Sequence, residues 1–232
     1  VQVKTPEGIC DAALFYPEGK GTWSAVLVWP DIFGLRPALR DIGRRLASEG
    51  HVVLVPNPFY RSKHAPVMDG PLDFSNPATR TTLTGYRAAM TDDGVTSDAK
   101  AYLAFLDNQP QTNKAKKAGV QGYCMGGPYT FRTAAAVPGR IGAAATFHGG
   151  GLASDQPTSP HLLVPKMKAE FAVLIADGDD QRDPAAKDKL KAAFADAKLP
   201  AKVEVYTGCA HGWTVRGGQA YNEAGAEKAW AE

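Results

Sequence analysis

The sequence predicts an α/β fold, with a mostly parallel sheet of about eight strands and helices on both faces, in one domain over residues 1–232. Three observations lead there. Short apolar runs of strand length alternate with longer segments of helical periodicity, the order a doubly wound fold requires. Some of these runs, Ser24 to Trp29 and His51 to Pro56 above all, are apolar without interruption, as in strands buried on both faces. No internal repeat, linker or low-complexity tract breaks the 232 residues, which are enough for one sizeable core.

The elements follow in order. Val1 to Thr5 and Ile9 to Tyr16 read as a β-hairpin around Pro6-Glu7-Gly8, and Ser24 to Trp29 as the next strand. Pro37 to Ser48 reads as a helix stopped by Gly50, then His51 to Pro56 as a buried strand. Asn57 to Arg80, rich in Pro, Asn and Asp, reads as a long loop of the kind that covers a site. A helix is expected from Ser97 to Asp107, with Ala99, Tyr102, Leu103 and Leu106 on one face. Lys116 to Gln121 reads as a strand, Tyr129 to Val137 as a helix and Ile141 to Phe147 as a strand. Glu170 to Ala176 is a further buried strand, and it runs into an acidic loop, Asp177 to Pro184. Lys187 to Ala197 is predicted helical, Lys202 to Tyr206 a strand and Ala220 to Ala231 a closing helix.

Composition narrows the function classes. Hydrophobic residues make up 44% and charged residues 22%, ordinary for a globular protein, and the net charge of +2 gives no argument for nucleic acid or a membrane surface. No apolar run approaches the ~20 residues of a membrane span. Three cysteines argue against a disulfide framework, and Cys10 and Cys209 read as packing residues. No C-x-x-C or H-E-x-x-H pattern appears, so neither a metal nor another cofactor is expected. No signal peptide is recognisable, although the chain starts at Val1 rather than Met, as it would after removal of a leader; cytoplasm is the expected compartment.

The chemistry lies in three loops that follow strands. Gly122-Tyr123-Cys124-Met125-Gly126 sits between a strand and a helix and has the form G-x-S-x-G with Cys for Ser, the nucleophile elbow of α/β-hydrolases. A buried structural cysteine in a tight turn would read the same way. At the N-terminus of the following helix, free N–H groups and the helix dipole favour a thiolate at Cys124. The acidic loop offers Asp177, Asp179, Asp180 and Asp183 as the acid. Thr207-Gly208-Cys209-Ala210-His211-Gly212-Trp213 then supplies His211 as the base, so nucleophile, acid and base come in the order this fold uses. The backbone N–H of Met125 is the expected first oxyanion donor, and Ile32, in Trp29-Pro30-Asp31-Ile32-Phe33-Gly34, the expected second. Phe147-His148-Gly149-Gly150-Gly151 resembles an oxyanion loop but follows the nucleophile, so it reads as a flexible turn. His148 and His161 read as structural.

From about Ala25 to its end, the chain resembles the dienelactone hydrolase family, a cysteine-using branch of the α/β-hydrolases. The resemblance is carried by Pro30-Asp31-Ile32-Phe33-Gly34, Gly122 to Gly127, Gly178-Asp179-Asp180 with Pro184, and Ala210-His211-Gly212. It implies an α/β-hydrolase fold and hydrolysis of a small-molecule ester or lactone through a Cys–Asp–His triad, in a monomer or dimer. The pattern G-x-D with Pro four residues on selects Asp180 as the triad acid. The family carries Glu at the position of Asp31, where it gates the thiol, so the resemblance gives Asp31 that role on a shorter side chain; the alternative is a loop brace. Arg80 and Arg216 are the positions that match carboxylate-binding arginines, although Arg80 and Tyr86 are six apart rather than one helical turn and Arg216 follows an extra residue. Trp213 is expected to line the pocket or to fill the core. A protein of another class on the same fold, a thiol sensor or a catalytically weak pseudoenzyme in which Cys124 binds or oxidises rather than turns over, is the competing expectation.

Overall fold

The computed structural model describes residues 1–70 and 72–232. Pro71, within the span read as a long loop, lies outside the described residues. The chain divides into two compact units, Val1–Lys116 and Lys117–Glu232, where the sequence suggests one domain without a linker.

In the first unit β1 (Gln2–Thr5) and β2 (Gly8–Phe15) form the expected antiparallel hairpin, and Gly8 takes the positive φ its turn requires. β2 pairs antiparallel with β4 (His51–Pro56), and β4 pairs parallel with β3 (Ser24–Trp29). Between β3 and β4, α1 (Pro37–Ser48) starts with Pro at a position where the missing N–H costs nothing. It ends before Gly50, at φ 95. Small Gly43 lets Phe15 lie against α1, with the Arg44 guanidinium over the Phe15 ring at 5.5 Å.

Two boundaries differ from the sequence reading. The long loop ends earlier, because α2 (Pro77–Ala88) begins where Asn76 caps the N–H groups of Ala78 and Thr79 at 2.9 and 3.3 Å. Only Thr79 and Leu83 of α2 are buried, so the segment carries no apolar period to announce a helix. α3 (Asp92–Asp107) also starts early, capped by Thr91 on the Gly94 N–H at 3.0 Å and begun by two aspartates. Inside α3, Asp98 is completely buried, held by both terminal nitrogens of Arg61 at 2.7 and 3.0 Å and by the Tyr60 hydroxyl at 2.9 Å. Cys10 is a packing residue: it accepts from the Tyr102 hydroxyl at 3.2 Å, and burial pushes its thiol up to about 12.

The second unit is wholly parallel in its strand pairing, in the order β5 (Ala118–Tyr123), β6 (Ile141–Phe147), β7 (Glu170–Ala176), β8 (Ala201–Tyr206). Parallel neighbours need crossovers. These are α4 (Gly126–Ala136), a 3-10 helix at Pro160–Lys166, then α5 (Asp177–Arg182) with α6 (Ala186–Asp196). Phe131 of α4, Phe171 of β7 and Phe194 of α6 meet at centroid distances of 4.9 to 6.0 Å and anchor the core beside β7. α7 (Glu223–Trp230) closes the chain behind Asn222, which caps Gly225. The acidic stretch after β7, read as a loop, is the six-residue helix α5, and that decides which aspartate faces the histidine.

Candidate active site

Two loops of the second unit, after β5 and β8, and the short helix α5 after β7 bring Cys124, Asp179 and His211 together. Cys124 ends β5 in the left-handed region, φ 51, a conformation that residues with side chains adopt only under constraint. The constraint is visible on both sides. A Cβ at Gly122 would fall on the Gly126 carbonyl and on Thr130 Oγ1, and one at Gly127 would sit 2.7 Å from Gly149 Cα. Only glycine lets α4 start that close to β5. The Cys124 N–H donates to Phe147 O at 3.0 Å and the Cys124 carbonyl accepts from Gly127 at 3.0 Å, so the turn is tied to β6 and to α4. The thiol is half-buried at the N-terminal end of α4, where helix N–H groups converge.

His211 follows β8. Its Nδ1–H donates to Asp179 Oδ2 at 2.6 Å, and its ring also interacts with the Cys124 side chain. Burial alone would lower the imidazole's pKa; the hydrogen bonds to Asp179 and Cys124 outweigh it and raise the group to about 10. The loop itself is held from α5: the Asp177 carboxylate accepts the Gly208 N–H at 2.9 Å, and the Asp177 N–H donates to Cys209 O at 3.0 Å.

Asp180 is corrected by this geometry. Both its oxygens accept from Lys187 Nζ at 2.8 Å, while the neighbouring Asp179 faces His211 with a side chain only 13% exposed. The family pattern that selected Asp180 does not register that this stretch is helical. In a helix adjacent residues point ~100° apart, so one aspartate turns to the β8 loop and the other to α6.

The remaining expectations divide. Asp31 is buried in the first unit, with its two oxygens bound by Arg36 at 2.6 and 2.7 Å and the Phe33 N–H on Oδ1 at 3.0 Å. A carboxylate held by a bidentate guanidinium braces its loop, the second of the two roles the sequence leaves open for Asp31. Arg36 gave no sequence signal beyond its place before the helix-starting Pro37. Ile32, also in the first unit, is buried; Met125, in the second, is buried at the head of α4. Trp213 is a core residue, fully buried and stacked on Tyr206 at 5.1 Å, not a pocket wall. Arg216 is exposed, with its guanidinium 5.7 Å from the Tyr221 ring centre, and Arg80 is an exposed residue of the first turn of α2 rather than of a covering loop. Among the described residues no group of three or more His, Cys, Asp or Glu has the arrangement of a metal site, and no helix is long and apolar enough to cross a membrane.

The dienelactone hydrolase family matches this sequence over residues 10–232. The chain belongs to that family. It is a hydrolase of the ester- and lactone-cleaving kind. A carboxymethylenebutenolidase of Rhodococcus opacus is 28% identical over 199 residues, covering 82% of this chain and 70% of the relative. The structure of "Putative Dienelactone Hydrolase from Klebsiella pneumoniae subsp. pneumoniae MGH 78578" superposes with a TM-score of 0.84 at 22% identity, covering 100% of this chain and 94% of the other. A dienelactone hydrolase-like promiscuous phosphotriesterase from metagenomic libraries gives 0.79 at 22% identity, with 100% and 93% covered. These likenesses establish the α/β-hydrolase fold that the sequence predicts.

Proposed function

We propose that this member of the dienelactone hydrolase family opens a lactone or cleaves a small carboxylic ester through a thioester on Cys124. The observation that carries the reading is the 2.6 Å hydrogen bond from His211 Nδ1 to Asp179, with the same ring interacting with the Cys124 side chain. The Cys124 sulfur attacks the acyl carbon, and the carbonyl electrons move onto oxygen, where the Met125 N–H at the head of α4 donates to the oxyanion. Collapse of the tetrahedral intermediate breaks the C–O bond, and the His211 imidazolium gives its Nε2 proton to the leaving alkoxide. In a lactone that alkoxide stays tethered to the acyl group. Water then attacks the thioester, the now neutral His211 takes its proton, and the thiolate leaves with the imidazolium restored. Asp179 fixes the tautomer and orientation of His211 throughout, without accepting its proton.

The test is hydrolysis of a dienelactone beside a simple aryl acetate, by wild type and by Cys124→Ala. Turnover of either substrate that vanishes in Cys124→Ala supports the reading, and a far higher kcat/KM for the lactone narrows the substrate to lactones. Turnover retained in Cys124→Ala would refute the cysteine mechanism.

A further inference from the structure

The site contains a second histidine that this reaction sequence leaves unused. We propose that His148 is a positioning residue for His211: its Nε2 anchors Thr214, and its ring is the wall against which the His211 ring is held. The inference rests on the reading of Cys124, Asp179 and His211 as a catalytic site.

Placement comes first. His148 directly follows β6, and residues 147 and 148 touch Cys124, strand β7 and the loop after β8. Phe147 O accepts the Cys124 N–H at 3.0 Å, and the His148 N–H donates to Leu174 O at 2.9 Å, on the strand that leads to Asp179. The His148 side chain reaches the third loop. Its Nε2 lies 2.8 Å from Thr214 Oγ1, and its ring centre is 5.0 Å from that of His211 and 5.2 Å from that of Trp213.

Backbone geometry argues the same way. His148 has φ 43, in the left-handed region that favours glycine, although Gly149, Gly150 and Gly151 follow it directly. A turn with no further task would place glycine there. An imidazole kept in a strained conformation, and 1% exposed, points to a role for the side chain itself.

The hydrogen bonding identifies that role. His148 Nδ1 has no hydrogen-bond partner among the described residues, whereas Nε2 has Thr214. The arrangement suits a neutral ring with its proton on Nε2, donated to the Thr214 hydroxyl, and a bare Nδ1. A proton on Nδ1 would meet no partner beyond the residue's own backbone. Burial first and the His211 charge second hold the His148 pKa well below the usual histidine range. The other ring facing it, Tyr123 of β5 at 6.1 Å, is uncharged. A neutral aromatic ring against an imidazolium is attractive where two imidazolium rings would repel. Thr214 lies three residues past His211, so its hydrogen bond fixes the far side of the turn that Asp177 fixes on the near side.

His148→Phe keeps a ring and removes the hydrogen bond; Thr214→Val removes the same bond from outside the core, and therefore reports even if His148→Phe fails to fold. With an aryl acetate, each is expected to lower kcat about tenfold or more with KM within about twofold, the signature of a misplaced acid–base group. The double variant should be no worse than the poorer single, because one bond is lost in all three. The pH midpoint for iodoacetamide alkylation of Cys124 should shift in the same variants, which a merely structural role would leave in place. Single variants within twofold of wild type in kcat, or losses that multiply in the double, would overturn the role of His148 while Cys124-dependent turnover stands. Turnover that persists in Cys124→Ala, measured alongside, would instead remove the catalytic reading and the inference with it.

Discussion

Asp179→Asn preserves the size of a side chain while removing the charge that holds His211. In the folded protein Asp179 Oδ2 accepts from His211 Nδ1 at 2.6 Å, a length typical of a charge-assisted bond, and the carboxylate is 13% exposed, so solvent screens it little. An amide there can present its NH₂ to Nδ1 and select the wrong tautomer, and it no longer stabilises the imidazolium. Loss of the orienting carboxylate in other triads costs ~10⁴ in kcat, and a loss of ~10²–10⁴ is expected here. The control is one residue away. Asp180 pairs with Lys187, both side chains being partly exposed, and such pairs contribute about 1 kcal/mol or less. Asp180→Asn should therefore keep kcat within about twofold, as a residue with no contact to the reacting groups. The assay is kcat on an aryl acetate for both variants, with thermal melting to show that each is folded. A hundredfold loss in Asp180→Asn with activity retained in Asp179→Asn would refute the assignment and restore the acid that the spacing selected.

Three further outcomes are expected. His211 has its pKa raised to about 10 in the folded protein, so its contribution to stability is fully present below the unfolded value of ~6.5 and is lost as pH rises through about 10. The stability difference between wild type and His211→Gln, from denaturant melts between pH 6 and pH 10.5, should shrink over that interval, and a difference independent of pH would contradict the assignment. Gly122→Ala places a methyl group on the Gly126 carbonyl and Thr130, which should cost ~1–3 kcal/mol and lower Tm; an unchanged Tm would show that the turn is less tight than described. Arg61→Met leaves the buried Asp98 carboxylate unpaired, at a cost of ~3–5 kcal/mol near neutral pH. Because burial already raises the Asp98 pKa despite Arg61, the loss should ease as pH falls and the carboxylate takes up a proton. Equal destabilisation at pH 5 and pH 8 would count against that account.

The sequence by itself determined the strands, the nucleophile turn and the order of the site loops, because each of these is written locally. Continuous apolar runs mark buried strands, and Gly122 and Gly127 around Cys124 are what a strained strand-to-helix turn requires within six residues. His211 was legible for the same reason, as a histidine just past the next-to-last segment of regular structure. Helix α2 was not, since a cap at Asn76 and two buried residues leave no period to read. The partners of charged groups were decided only by tertiary structure. Asp179 and Asp180 are adjacent and chemically identical in sequence; the turn of α5 sends one to His211 and the other to Lys187. Asp31 has its partner at Arg36, and Trp213 and His148 have theirs in each other's rings. Hydrogen bonds and ring contacts act over 3 to 6 Å of space, and that distance is fixed by how elements pack rather than by how residues are spaced along the chain.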